Sequence, residues 1–155
     1  MIRPITRDDV PALKVVIDAN DLFPADMLDD MVADYFTGVA SDAVWLTIDE
    51  GRLVAVSYFE PYRMTAGTWN VYLIAVHPVY QGQGRGAALL HHVEQTLAMR
   101  RARILLVETS SLPSFARTRA FYHKCGYDEE ARIREFYQAG EDKVIFRKVL
   151  AARIS

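Results

Sequence analysis

The chain has 155 residues, 51% of them hydrophobic and 25% charged, which is enough apolar material for one domain with a real core and too ordinary a mixture for a disordered or fibrous protein. A formal net charge of -2 supplies no global field to hold a polyanion, which argues against nucleic acid or an anionic membrane as the main partner. Cys125 is the only cysteine and has no internal partner, no apolar run approaches the roughly 20 residues of a membrane span, and Met1-Ile2-Arg3-Pro4 does not open a signal peptide, so the expected setting is a soluble protein of the cytoplasm.

Met1 to Ile5 reads as a short strand. Thr6 then caps a helix that opens on Asp8 and Asp9 and carries Val10, Leu13, Val16 and Ile17 on one face at helical spacing. A second helix follows Pro24, with Met27, Leu28, Met31, Val32 and Tyr35 as its apolar stripe and Gly38 as its stop. From Ala43 the period shortens: Val44 to Ile48 and Leu53 to Phe59 flank the turn Asp49-Glu50-Gly51-Arg52 as a hairpin. A further strand, Trp69 to Val76, runs toward Gln81-Gly82-Gln83-Gly84-Arg85-Gly86-Ala87. The helix beginning near Ala87 aligns Leu90, Val93 and Leu97 for burial and leaves Glu94 and Gln95 wet. Ile104 to Val107 is apolar on both faces, the pattern of a strand inside a sheet covered by helices. A helix around Phe115 to Lys124 stops at Gly126, and two last strands, Ala131 to Tyr137 and Val144 to Val149, flank the turn Ala139-Gly140-Glu141-Asp142. The order β-α-α-β-β-β-α-β-α-β-β has no linker or repeat inside it and predicts one α/β domain over residues 1–155. Its last two strands offer an edge that can pair with a second copy as a homodimer.

The glycine-rich run lies between an apolar strand and an amphipathic helix. Glycines there allow positive φ and close approach of the backbone, while the unpaired N–H groups of the first helical turn and the positive end of its dipole face an anion. A phosphorylated cofactor is the expected guest. Gly82 to Ala87 also fits G-x-G-x-x-A, with Glu108 about 20 residues further on as a dinucleotide fingerprint requires. Against that reading, His77-Pro78-Val79-Tyr80-Gln81 intervenes between strand and glycine, and only one helix-containing crossover follows. No Gly-Lys-Ser/Thr run exists for a P-loop. His77, His91, His92 and His123 do not form H-E-x-x-H, and the adjacent His91 and His92 point about 100° apart on a helix, so no metal is expected. Cys125 beside Gly126 reads as a small buried filler.

Ala75-Val76-His77-Pro78 followed by Gln81-Gly82-Gln83-Gly84-Arg85-Gly86 resembles the acetyl-CoA motif Q/R-x-x-G-x-G/A of the GNAT superfamily of N-acetyltransferases. Ala120-Phe121-Tyr122-His123-Lys124-Cys125-Gly126-Tyr127 resembles that family's later segment, a helix bearing a tyrosine followed by glycine and an aromatic residue. The resemblance implies the GNAT acyl-CoA N-acyltransferase fold, a twisted mixed sheet splayed between its fourth and fifth strands, Trp69 to Val76 and Ile104 to Val107. It implies acetyl-CoA as co-substrate, its pantetheine arm paired with the backbone of Ile74, Ala75 and Val76, and its pyrophosphate on Gln81, Gly82, Gln83, Gly84, Arg85, Gly86 and Ala87.

The implied reaction is direct attack by the primary amine of a small molecule or peptide on the acetyl thioester. A main-chain N–H near Val76 would face the oxyanion, and Tyr122, also in contact with the cofactor, would serve as general acid to the departing thiolate. Its phenol and a thiol differ by only about 1.5 pKa units in water. The family's best-known base, a glutamate on the strand before the loop, falls by spacing on Asn70, which cannot take a proton. Glu60 and Glu108, at strand ends, are the candidates to relay one through water. The acceptor pocket is expected from the loop Asn20 to Pro24, which includes Phe23, from Tyr58 and Tyr72, and from Phe136 and Tyr137. Arg117 and Arg119 are candidates to meet a phosphate or a carboxylate. The missing carboxylate at Asn70 keeps a second reading open, a non-catalytic acetyl-CoA-binding sensor or scaffold of the same fold.

Overall fold

The strand-period and helix-period segments fold in the expected order in the computed structural model, which describes residues 1–39 and 42–150. The elements are β1 (Ile2–Pro4), α1 (Val10–Asn20), α2 (Leu28–Thr37), β2 (Val44–Asp49), β3 (Leu53–Pro61), β4 (Thr68–Val76), α3 (Arg85–Met99), β5 (Ile104–Ser110), α4 (Ala116–Lys124), β6 (Asp128–Gln138) and β7 (Glu141–Val149). The strands form one mixed seven-stranded sheet in the order β1-β2-β3-β4-β5-β7-β6. β5 lies between β4 and β7, which accounts for its apolar start. β4 and β5 pair in parallel from Thr68 opposite Ile104 to Val71 opposite Val107. The ladder ends there, although β4 runs on to Val76 and β5 to Ser110. Among the described residues no helix is long and apolar enough to cross a membrane.

Two compact units divide the chain: Met1–Glu60 with Tyr72–Val93, and Pro61–Val71 with the chain from Glu94 onward. In the first, Leu13, Val16, Ile17, Leu28 and Val32 of the two helices close over Trp45, Val56, Leu73 and Ala75 of the strands. Burying each large apolar side chain there contributes about 1.5–3 kcal/mol. In the second, Tyr122 packs on Phe146 of β7 and on Tyr127, with ring centroids 5.6 and 6.1 Å apart.

The first helix begins later than its acidic residues suggest. Arg7–Asp9 is a 3-10 turn, and α1 starts at Val10. Asp9 is only 9% exposed, because its carboxylate accepts the Thr6 N–H at 2.7 Å and Arg3 Nη1 and Nη2 at 2.7 and 2.9 Å. The Arg3 guanidinium holds that carboxyl at about 2, against an ordinary 3.8. A depressed folded pKa stabilises the protein above the unfolded value and stops doing so as pH falls from about 4 to 2; at 1.36 kcal/mol per pKa unit this is about 2 kcal/mol at neutral pH. Asp9→Asn is therefore expected to lower stability by about that amount at pH 7 and to converge with the parent toward pH 2, as read by denaturant unfolding across pH.

Glu94 is not the solvated residue its place on α3 predicts. Its Oε2 accepts from the Tyr127 hydroxyl at 2.7 Å and its Oε1 from Lys148 Nζ at 3.1 Å, and that lysine also donates to the Cys125 carbonyl at 2.9 Å. Helix period alone cannot reveal this, because the partners come from much later in the chain. Burial and the nearby Glu94 push the Cys125 thiol up, the reverse of an activated nucleophile.

β6 is exposed along its whole length, and its register with β7 shifts between Glu129 and Ala131 and again between Ile133 and Gln138. Glu135 lies at φ 52 within the second irregularity. The edge combines these bulges with Asp128, Glu129, Glu130, Arg132, Arg134 and Glu135, features that oppose strand addition in general.

Candidate functional site

β4 leads into a 3-10 turn, Pro78–Tyr80, capped by His77 Nδ1, which accepts the Val79 N–H at 3.2 Å. The chain then turns on Gly82 (φ 76) and Gly84 (φ 86), left-handed conformations that only glycine adopts at little cost, and α3 begins at Arg85, slightly earlier than Ala87. The N–H groups from Gly82 through Ala87 meet no acceptor among the described residues. A Cβ placed on Gly82 or Gly84 would have nothing within 4 Å. A row of orphan amides at the positive end of a long helix therefore opens onto free space, which fits the diphosphate of acetyl-CoA.

The loop's side chains act as braces at the surface. Arg85 forms a two-point ion pair with Glu50, Nε to Oε2 at 2.8 Å and Nη2 to Oε1 at 2.9 Å, and its Nη1 reaches Gln83 Oε1 at 2.7 Å and the Tyr80 carbonyl at 3.2 Å. Its charge is engaged, and the backbone N–H is what it leaves for an anion. Gln81 Nε2 donates to the Val76 carbonyl at 2.9 Å and to Asn20 Oδ1 at 3.1 Å, while Asn20 Nδ2 donates to the same carbonyl at 3.0 Å. Both lone pairs of the Val76 carbonyl are thus taken. A guest arm lying along β4 would therefore meet a Val76 carbonyl that already has its partners.

In the same unit Tyr58 stacks on Trp45, with centroids 4.3 Å apart and planes 4° apart, and on Tyr72 at 5.5 Å. Tyr72 keeps 43% of its surface exposed, whereas Phe23 is half-buried against the core. The Tyr58 hydroxyl donates to Glu60 Oε2 at 2.6 Å, and burial followed by that carboxylate pushes its phenol well above the ordinary range. Glu60 thus arrives with one oxygen already engaged.

In the second unit Tyr122, on α4, is 4% exposed, and its hydroxyl makes no hydrogen bond among the described residues. Burial pushes the phenol far above 10, which widens its gap to a thiol beyond the 1.5 units of free solution. Glu108 is ion-paired with Lys143, Oε2 to Nζ at 2.8 Å, and that ammonium lies 4.3 Å from the Phe136 ring centroid. Lys143 is 8% exposed, so removing the charge of Glu108 would strand a buried cation, at a cost of about 3–5 kcal/mol. Nothing in the sequence pattern of β7 marks Lys143 as the partner. Asn70 is buried, with its Nδ2 unpartnered among the described residues. Arg119 Nη1 donates to the carbonyls of Ser110 at 2.6 Å and Leu112 at 2.9 Å, which makes it a brace, while Arg117 stays exposed. Tyr137 is exposed at 44%, and what burial its phenol has raises its pKa.

Residues 40–129 match the acetyltransferase (GNAT) domain family. Among solved structures, a GNAT-family protein from Desulfovibrio desulfuricans is 30% identical, with a TM-score of 0.91 over 97% of this chain and 99% of that one. The ribosomal-protein-S18-alanine N-acetyltransferase of Escherichia coli is 22% identical at a TM-score of 0.78, covering 99% of this chain and 95% of that one. A Salmonella typhimurium protein solved with its cofactor acetyl-CoA is 16% identical at a TM-score of 0.75, covering 100% and 96%. The last two likenesses are of fold. No curated protein matches the chain.

Proposed function

This chain belongs to the GNAT acetyltransferase family, and we propose that it works in the cytoplasm as a single N-acetyltransferase domain over residues 1–155, moving the acetyl group of acetyl-CoA to a primary amine of a small molecule or a peptide. The row of unpaired amides from Gly82 into the first turn of α3 at Ala87 carries this reading. Acetyl-CoA, when bound, supplies a thioester carbonyl open to attack by an amine.

The chain's own groups bind, donate and accept. The glycine-loop amides hold the diphosphate, Ile74 and Ala75 present backbone to the arm, and a main-chain N–H near Val76 donates to developing oxyanion charge. Tyr122 keeps its proton throughout the physiological range and donates a hydrogen bond to sulfur as negative charge builds there. Glu60 relays the proton of the incoming ammonium through water. Glu108 is the second candidate for that relay, already ion-paired with Lys143. Tyr72 and Tyr58 offer an amine an aromatic face, and Phe23 and Phe136 serve substrate contact as well.

The test is release of free thiol from acetyl-CoA with a panel of monoamines, polyamines, amino acids and peptides. Acceleration by at least one class is expected. One observation favours a second reading, a binding module without turnover: Asn70 stands where a carboxylate is expected and both Glu60 and Glu108 are engaged. Saturable acetyl-CoA binding with no amine-dependent thiol release would favour that module, and no binding at all would overturn both.

A further inference from the structure

The peptide joining Val76 to His77 is pinned at every polar atom it has. Its carbonyl accepts from Asn20 Nδ2 at 3.0 Å and from Gln81 Nε2 at 2.9 Å, and its N–H donates to the Val54 carbonyl at 2.8 Å. The two side chains also hold each other, Gln81 Nε2 to Asn20 Oδ1 at 3.1 Å, so carbonyl, asparagine and glutamine close a ring of hydrogen bonds. Asn20 is the last residue of α1 and is itself anchored by donating to the Val16 carbonyl at 2.9 Å; Asp21, the next residue, is left-handed at φ 51 and starts the loop toward Pro24. Gln81 is the residue before Gly82, where the row of free amides begins. The ring thus ties the end of the first helix, the end of β4 and the start of the glycine loop to one peptide.

We propose that Asn20 is a positioning residue for the cofactor: through Gln81 and the Val76 carbonyl it holds the glycine-loop amides in their binding arrangement without touching the ligand. The proposal rests on the acetyl-CoA reading above for its ligand, but not for its geometry. The reason is preorganisation. A row of exposed N–H groups has no internal bonds to keep it in shape, so its geometry must be set where the loop is fastened, and a loop ordered before binding loses less conformational freedom on binding. An asparagine fits this task because one amide supplies both the donor to the carbonyl and the acceptor for glutamine.

The test is a double-mutant cycle on CoA affinity, measured by titration calorimetry, with melting temperature and hydrogen exchange over residues 77–81 in parallel. Asn20→Ala and Gln81→Ala are each expected to weaken CoA binding about 5–10-fold, and the pair together no more than the weaker of the two, because either change opens the same ring. Asn20→Asp keeps the acceptor for Gln81 but sets an oxygen against the Val16 and Val76 carbonyls, and is expected to bind no better than Asn20→Ala. The His77 amide should exchange faster in all of these variants. Parent-like CoA affinity in Asn20→Ala, or effects that multiply fully in the double variant, would overturn the proposal, and a lowered melting temperature with unchanged affinity would assign Asn20 to stability alone. If the parent does not bind CoA, the acetyl-CoA reading fails instead, and the proposal then stands or falls on whether Asn20→Ala alters exchange at His77.

Discussion

A Gly84→Val variant is expected to fold like the parent and to lose CoA binding by about 100-fold or more, equivalent to about 2.7 kcal/mol. The two halves of that expectation have separate causes. A β-branched residue at φ 86 costs roughly 1–3 kcal/mol of backbone strain, within the 5–15 kcal/mol of a typical domain, so secondary structure and a cooperative melt should persist. The new side chain meets no protein atom, because a Cβ at Gly84 has nothing within 4 Å. It fills the space the orphan amides face, and an anion held there has to leave. Calorimetric titration beside a circular-dichroism melt measures both. Parent-like affinity in a folded Gly84→Val protein would remove the anion seat, and with it the strongest support for the acetyl-CoA reading.

Tyr122→Phe is expected to lower kcat by about 100-fold while leaving CoA affinity within about threefold, the signature of a donor used only as charge develops. The replacement is clean. Phenylalanine keeps the packing on Phe146 and Tyr127, and the deleted hydroxyl has no partner among the described residues, so nothing is left unsatisfied and stability should hardly move. The pH dependence makes the expectation sharper. Burial raises the phenol far above 10, so the protonated donor form persists through pH 9, and activity should rise as the amine loses its proton without a falling limb from Tyr122 in that range. The Phe variant should show the same profile at reduced height. An unchanged kcat would make Tyr122 a core residue with an idle hydroxyl.

What could be read from the residues alone is uneven, for physical reasons. The glycine loop was legible because its signal is backbone chemistry: glycines at positive φ just before a helix leave amides exposed whatever surrounds them. The role proposed for Tyr122 rests on the resemblance of its segment, since a tyrosine on an amphipathic helix otherwise reads as packing. The proposed roles of Glu60 and Glu108 were read from strand ends, where carboxylates are usually solvated. Their actual partners, Tyr58 two residues away on the same strand and Lys143 across the β5–β7 ladder, differ in how far a local pattern can reach. The partners of Glu94 lie beyond any local pattern for the same reason, as Tyr127 and Lys148 come to it from distant segments.

Hydrophobic period, turn chemistry and the placement of glycine, all properties of a few neighbouring residues, determined the order of elements, the mixed α/β class and the glycine turn that leads into α3. Tertiary structure alone decided which polar groups already have partners: the Val76 carbonyl held by Asn20 and Gln81, Glu108 committed to Lys143, and Glu94 shared by Tyr127 and Lys148. The division follows from range. Backbone conformation is set by sterics between adjacent residues, whereas the satisfaction of a donor or an acceptor depends on which remote segment folding brings within about 3 Å of it.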